Sequence, residues 1–140
     1  MTGQIEGTFQ GEVITQFHGN IPDKPLHVLA MATIAGVQSS ADELWNDAKL
    51  TYWSMGDLLD GEGKVSGYFH NKHVNGGTTF GSFEADVTMN SGQSSTVGKW
   101  QLINGTGRFA GITGGGRFDA QSDTPVTVSM TWSGEISLPD

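Results

Sequence analysis

"VTVSMTWSGEI", residues 126–136, alternates apolar and polar side chains almost without a break. Val126, Val128, Met130, Trp132 and Ile136 fall on one face of an extended chain, and Thr127, Ser129, Thr131, Ser133 and Glu135 fall on the other. Successive side chains of a strand point to opposite faces, so a period of two describes a half-buried antiparallel strand with one wet face. The period recurs upstream. "GSFEADVTM" (81–89) sets Phe83, Ala85, Val87 and Met89 against Ser82, Glu84, Asp86 and Thr88, and "VGKWQLI" (97–103) sets Trp100 and Leu102 against Lys99 and Gln101. Less regular stretches at 12–18, 27–35, 49–58, 64–73 and 115–120 bring the expected number of strands to about eight.

The connections carry turn chemistry. "DGEG" (60–63), "NGG" (75–77) and "NSGQ" (90–93) can each supply the positive φ angles that tight hairpins require. Only "SSADELWNDA" (39–48) shows a helical signal, with Ser40 and Glu43 at capping-box spacing before Trp45; at two turns or fewer it reads as part of a long connection. Eight antiparallel strands can close into a barrel or pack as a sandwich. Sequential hairpins, with no Cys-Trp-Cys pattern, favour closure, which also removes exposed edges. The expected fold is therefore all-β, an eight-stranded antiparallel up-and-down barrel spanning residues 1–140 as a single domain. A barrel of this size either fills its interior with side chains or holds one small ligand.

Composition narrows the partners. The chain has 140 residues and no cysteine, which excludes disulfides, zinc-thiolate sites and a catalytic thiol and suits a reducing compartment, so the expected location is cytoplasmic. Fifteen acidic against seven basic residues give a net charge of −8 with no basic cluster, an unfavourable surface for nucleic acid or an anionic membrane. No apolar run is long enough to span a bilayer as a helix and no leader pattern opens the sequence. Glycine accounts for 21 residues, about twice its usual share, without a repeat period.

The densest glycine tract is "GTGRFAGITGGG" (105–116), six of whose twelve residues are glycine. A phosphate loop would need a following Gly-Lys-Ser/Thr and a helix, whereas "GGRFDAQSD" has neither. The tract reads instead as a corner. Asn104-Gly105 ends the Trp100 strand as a turn, Phe109 and Ile112 plug a barrel end, and Gly114 to Gly116 bend the chain into the next strand. A strand ending in "W-x-L" and followed by "NGTGRFAGITGGGRF" resembles the allene oxide cyclase-like barrel superfamily, which includes the dirigent proteins and small bacterial barrels. The likeness rests on Gly105, Gly107, Phe109, Gly111 and Gly114. It implies an eight-stranded barrel, a homodimer or homotrimer, whose lumen binds a small apolar or aromatic molecule and steers its cyclisation, coupling or isomerisation. The matching residues are architectural, so no catalytic residue carries over from them.

Candidates for chemistry come from the residues themselves. "TYWSMGD" and "GYFHNKH" place Tyr52 with Ser54 on one face and Tyr68 with His70 on one face; if both sets face the lumen, two phenols and an imidazole could polarise a carbonyl or move a proton. Tyr52, Tyr68 and His70 are thus the candidate catalytic residues, although half-buried Tyr and His are commonly ordinary core or interface residues. Trp100 and Trp132 share faces with Leu102 and with Met130, which marks them with Phe83 as lumen walls. Trp53 must point away from Tyr52 on a regular strand, as a rim or subunit contact. Of the four histidines, His18, His27, His70 and His73, three lie near the ends of expected strands, where they could ring a barrel mouth. Ligand binding is therefore expected to involve His18, His27, Trp53, Phe83, Trp100, Met130 and Trp132. His70 and His73, three apart, fall on opposite faces of an extended strand, a poor metal pair, and no metal or cofactor is expected. The functional expectation is an enzyme acting on an apolar or aromatic substrate, a cyclase or isomerase; the alternative is a lipocalin-like carrier without turnover.

Overall fold

A computed structural model describes residues 2–139. Eight strands follow one another: β1 (Thr2–Asn20), β2 (His27–Ser39), β3 (Lys49–Leu59), β4 (Glu62–Lys72), β5 (Thr78–Asn90), β6 (Gln93–Thr106), β7 (Thr113–Thr124) and β8 (Thr127–Ser137). Each pairs antiparallel with the next, and β8 pairs with β1, closing an up-and-down barrel. A single 3-10 turn, Gly107–Phe109, is the only helix among the described residues. Asp60-Gly61 and Ser91-Gly92 both take positive φ angles in the two-residue β3–β4 and β5–β6 turns, the type I′ geometry whose twist matches a hairpin.

The alternation that marks the strands sorts core from solvent. Ala85, Val87, Leu102, Phe118, Ala120, Trp132 and Ile136 point inward and are buried, while Glu84, Asp86, Lys99 and Thr131 are exposed. Val126 departs from its run: it lies in the β7–β8 turn, before β8 begins, and is exposed. Inside, rings meet edge to face, as with Trp100–Trp132 (87°), Phe69–Trp100 (86°), Tyr52–Phe83 (88°) and Phe83–Phe118 (89°), the arrangement their quadrupoles favour. Inward glycines make room for these rings: a Cβ on Gly7 would lie 2.6 Å from the Trp132 ring.

The structure differs from the sequence reading in β1 and in β6. β1 starts at Thr2, ten residues before the expected strand; its inward positions alternate apolar side chains with glycine, Ile5, Gly7, Phe9, Gly11, which thins out the apolar signal. A bulge between Val13 and Thr15 then reverses the faces, which turns Phe17 outward. β6 runs through Asn104-Gly105 to Thr106, paired with β5 across a second bulge, so the corner begins at Gly107 rather than at Asn104. Residues 40–48 form turns, with the Ser40 hydroxyl donating to the Glu6 carbonyl (2.6 Å) and the Asp42 carboxylate accepting from the Leu44 amide (2.9 Å). These turns swing Trp45 into the barrel end, where it meets Phe109 edge to face at 5.4 Å. Trp45, Phe109 and Ile112 are buried and plug that end.

Candidate functional site

The lumen keeps a cavity of about 70 Å³ above this plug. Aromatic and aliphatic side chains form most of its wall: Tyr52 from β3, Phe69 from β4, Phe83 from β5, Trp100 from β6, Phe118 from β7, Met130 and Trp132 from β8. Two amides, Gln38 on β2 and Asn71 at the end of β4, are the polar exceptions beside the Tyr52 phenol, and no charged side chain lines the space. An engineered cavity of about 150 Å³ holds benzene, so a ring enters this one only if the lining yields. Met130, unbranched and flexible, is the lining residue best suited to move.

A continuous hydrogen-bond chain runs beneath the cavity. The Trp132 indole N–H donates to Gln38 Oε1 (2.8 Å), and Gln38 Nε2 donates to Asn71 Oδ1 (3.2 Å). Asn71 Nδ2 donates to Thr79 Oγ1 (3.3 Å), Thr79 Oγ1 meets His73 Nε2 (3.0 Å), and His73 Nδ1 meets the Leu44 carbonyl (2.9 Å). Gln38, Asn71, Thr79 and His73 are all at most 4% exposed. Burial holds the His73 imidazole below its ordinary pKa, against the Leu44 carbonyl, which favours the proton, so the ring is neutral. A carbonyl can only accept, so Nδ1 carries the hydrogen and Nε2 accepts from the Thr79 hydroxyl.

The Tyr52 hydroxyl makes no hydrogen bond to another described side chain; its ring packs against Phe9 and Phe83. Desolvation raises its pKa well above the ordinary tyrosine value, which keeps it a neutral donor.

Of the candidate residues, Tyr52, Phe83, Trp100, Met130 and Trp132 line the cavity together. Tyr68 and His70 do not face the same lumen as Tyr52. Register pairs Tyr68 with outward Trp53 and His70 with Thr51, while their neighbours Phe69 and Asn71 point in. Tyr68 is 53% exposed and stacks on Phe80 at 5.8 Å, and Trp53 is 43% exposed. The outer wall of β4 is itself aromatic, which concealed the inward set Val65, Gly67, Phe69 and Asn71. Nor do the histidines ring one mouth. His18 is exposed near the end of β1, and His27 opens β2 at the same end of the barrel, while His73 sits at the plugged end. His27 hydrogen-bonds Asp23 (2.5 Å) and Asp57 (2.6 Å), and these two carboxylates raise its pKa. It clamps the β1–β2 loop and does not touch the cavity.

Gln38, Asn71 and Thr79 escaped the sequence reading. Gln38 continues the inward series Ile34, Gly36 and Asn71 continues Val65, Gly67, Phe69, so a polar amide at the end of an apolar series was the available signal.

No protein-family model matches the sequence, and no curated protein matches it. Among solved structures, the chain is similar over 100% of its length to 97% of the pterocarpan synthase dirigent protein PsPTS1, with a TM-score of 0.61 and 9% identity. A second similar structure is the pterocarpan synthase dirigent protein GePTS1, 87% of which is covered by 100% of this chain at a TM-score of 0.54 and 12% identity. In its strand order and closure the chain therefore shares the eight-stranded antiparallel barrel fold of these dirigent proteins.

Proposed function

We propose that the lumen binds a small apolar or aromatic molecule and steers its cyclisation or isomerisation by holding one conformer away from water. The observation that carries this reading is the unpartnered Tyr52 hydroxyl in an aromatic cavity with two amides on its wall. Tyr52 is the candidate hydrogen-bond donor to the substrate, and Trp100, Trp132 and Phe83 set the plane in which a flat molecule lies. The two structural neighbours carry the name pterocarpan synthase dirigent protein, and their shared fold supports a directing role for this lumen.

A carrier without turnover is the second reading, and one observation favours it. The cavity wall holds no group that gives up or takes a proton near neutral pH, since the Tyr52 pKa is driven up. Ligand-observed NMR with single-ring aromatics and short polyenes, followed by chromatography of the recovered ligand, separates the two. A rearranged product that Tyr52→Phe diminishes supports the enzyme; binding with unchanged ligand supports the carrier; no binding by any probe overturns both.

The assembly we propose is a homodimer or homotrimer. Phe17, Met31, Trp53, Met55 and Tyr68 form an exposed apolar strip across neighbouring strands β1 to β4, larger than scattered surface residues require. Sedimentation of wild type and Trp53→Glu tests this, with loss of the oligomer expected in the variant and a monomeric wild type refuting it. Without cysteine the chain suits a reducing compartment, and we place it in the cytoplasm.

A further inference from the structure

The hydrogen-bond chain beneath the cavity has a sense, and both of its ends fix it. The Trp132 indole can only donate and the Leu44 carbonyl can only accept. Between them every link must run the same way: Trp132 to Gln38, Gln38 to Asn71, Asn71 to Thr79, Thr79 to His73, His73 to Leu44. A neutral His73 with its hydrogen on Nδ1 completes this sequence. A hydrogen on Nε2 would leave the Thr79 hydroxyl without an acceptor in the chain.

The sense settles how the two amides stand. Each amide nitrogen has two hydrogens and uses one in the chain, so Gln38 and Asn71 each retain one N–H with no partner among the described residues. Each amide oxygen already accepts one hydrogen bond. Buried N–H groups left without acceptors are rarer than carbonyl oxygens that accept only once, so the unmet demand of this wall is for an acceptor. Tyr52 adds a third donor, and the cavity has no charged lining residue to balance a charged ligand.

We propose that Gln38 and Asn71 form a two-donor subsite for the carbonyl oxygen of a neutral, ring-sized ligand, and that His73, which does not line the cavity, is a positioning residue that holds the direction of the amides from the Thr79 end, as the Trp132 indole does from the Gln38 end. The proposal rests on the reading that the lumen takes a ligand, and it adds the class of molecule and the residue that selects it.

Two probes of nearly equal shape test it: acetophenone, and α-methylstyrene, in which a CH₂ group replaces the carbonyl oxygen. Affinities are measured by titration calorimetry on wild type and on Met130→Ala, in which the cavity is enlarged. Preference for acetophenone by about tenfold or more is expected, since the alkene forfeits the hydrogen bonds while being easier to desolvate. His73→Phe keeps a ring against Phe109 but has no acceptor for Thr79. It should reduce the preference by about threefold or more, through Asn71, while leaving the affinity for α-methylstyrene within about twofold; an unchanged preference overturns the positioning role. Equal binding of the two probes overturns the subsite while the lumen reading survives. Failure of both probes to bind either protein overturns the two readings together. Nitrogen-15 NMR of His73 supplies a check without ligand: hydrogen on Nδ1 is expected, and hydrogen on Nε2 overturns the positioning role.

Discussion

Replacing Met130 by alanine tests whether the internal cavity is space a ligand can use. The substitution removes three heavy atoms from the cavity wall, about 75 Å³, and takes the existing 70 Å³ to about 150 Å³ if the barrel does not collapse. The added void costs about 1.8 kcal/mol at about 24 cal/mol per Å³, and lost transfer energy brings the total to about 2–4 kcal/mol; Met130 is partly buried, which holds it below the upper end. Collapse is resisted because the lining rings brace one another edge to face across strands two apart in the barrel. Urea unfolding measures the loss, and NMR titration with benzene measures the gain. The variant should bind benzene with a Kd of about 1 mM or tighter, while wild type binds it at least tenfold more weakly. A variant destabilised by the expected amount that still does not take up benzene refutes the idea that this space is accessible. A loss below about 1 kcal/mol refutes the packing assigned to Met130.

Other consequences follow from single positions. Gly134→Ala would drive a Cβ into the Trp100 ring and within 2.5 Å of the Gly115 carbonyl oxygen, so a loss of about 1–3 kcal/mol in urea unfolding is expected; an unchanged midpoint would mean that the ring has other room. Tyr52→Phe removes a hydroxyl without a protein partner, so stability should stay within about 0.5 kcal/mol of wild type while the affinity for acetophenone falls about five- to tenfold; a large loss of stability would reveal a structural bond. The two linked histidines act on stability in opposite pH directions. The folded pKa of His73 is depressed, so the unfolded chain binds that proton first, and stability falls as pH drops below about 6.5 until the folded ring is also protonated. The folded pKa of His27 is raised by Asp23 and Asp57, so its contribution is present below about 6.5 and is lost as pH rises through the raised value. Urea midpoints against pH should lose the acid-side fall in His73→Gln and the alkaline-side fall in His27→Asn, and slopes unchanged in both variants would refute the assignments.

Much of the barrel was legible in the sequence because closure depends on local patterns. The period of two in 81–89, 97–103 and 126–136, with the Asp60-Gly61 and Ser91-Gly92 turns, determines strands, hairpins and their order without any distant contact. The lumen walls Phe83, Trp100, Met130 and Trp132 follow from the same period. Tertiary structure decided the rest. In β4 both faces are aromatic, and only pairing with β3 and β5 shows that Phe69 and Asn71 point inward while Tyr68 and His70 point outward. In β1 inward glycines hide the strand, because their partners in packing, the rings of Phe9 and Trp132, come from their own neighbours and from the far end of the chain. The polar chain spans 94 residues of sequence between Gln38 and Trp132, and its sense depends on which atoms meet inside the closed barrel. Periodicity reports which side of a strand is dry; it holds no record of which polar groups are dry together, and that juxtaposition arises only when the sheet closes on itself.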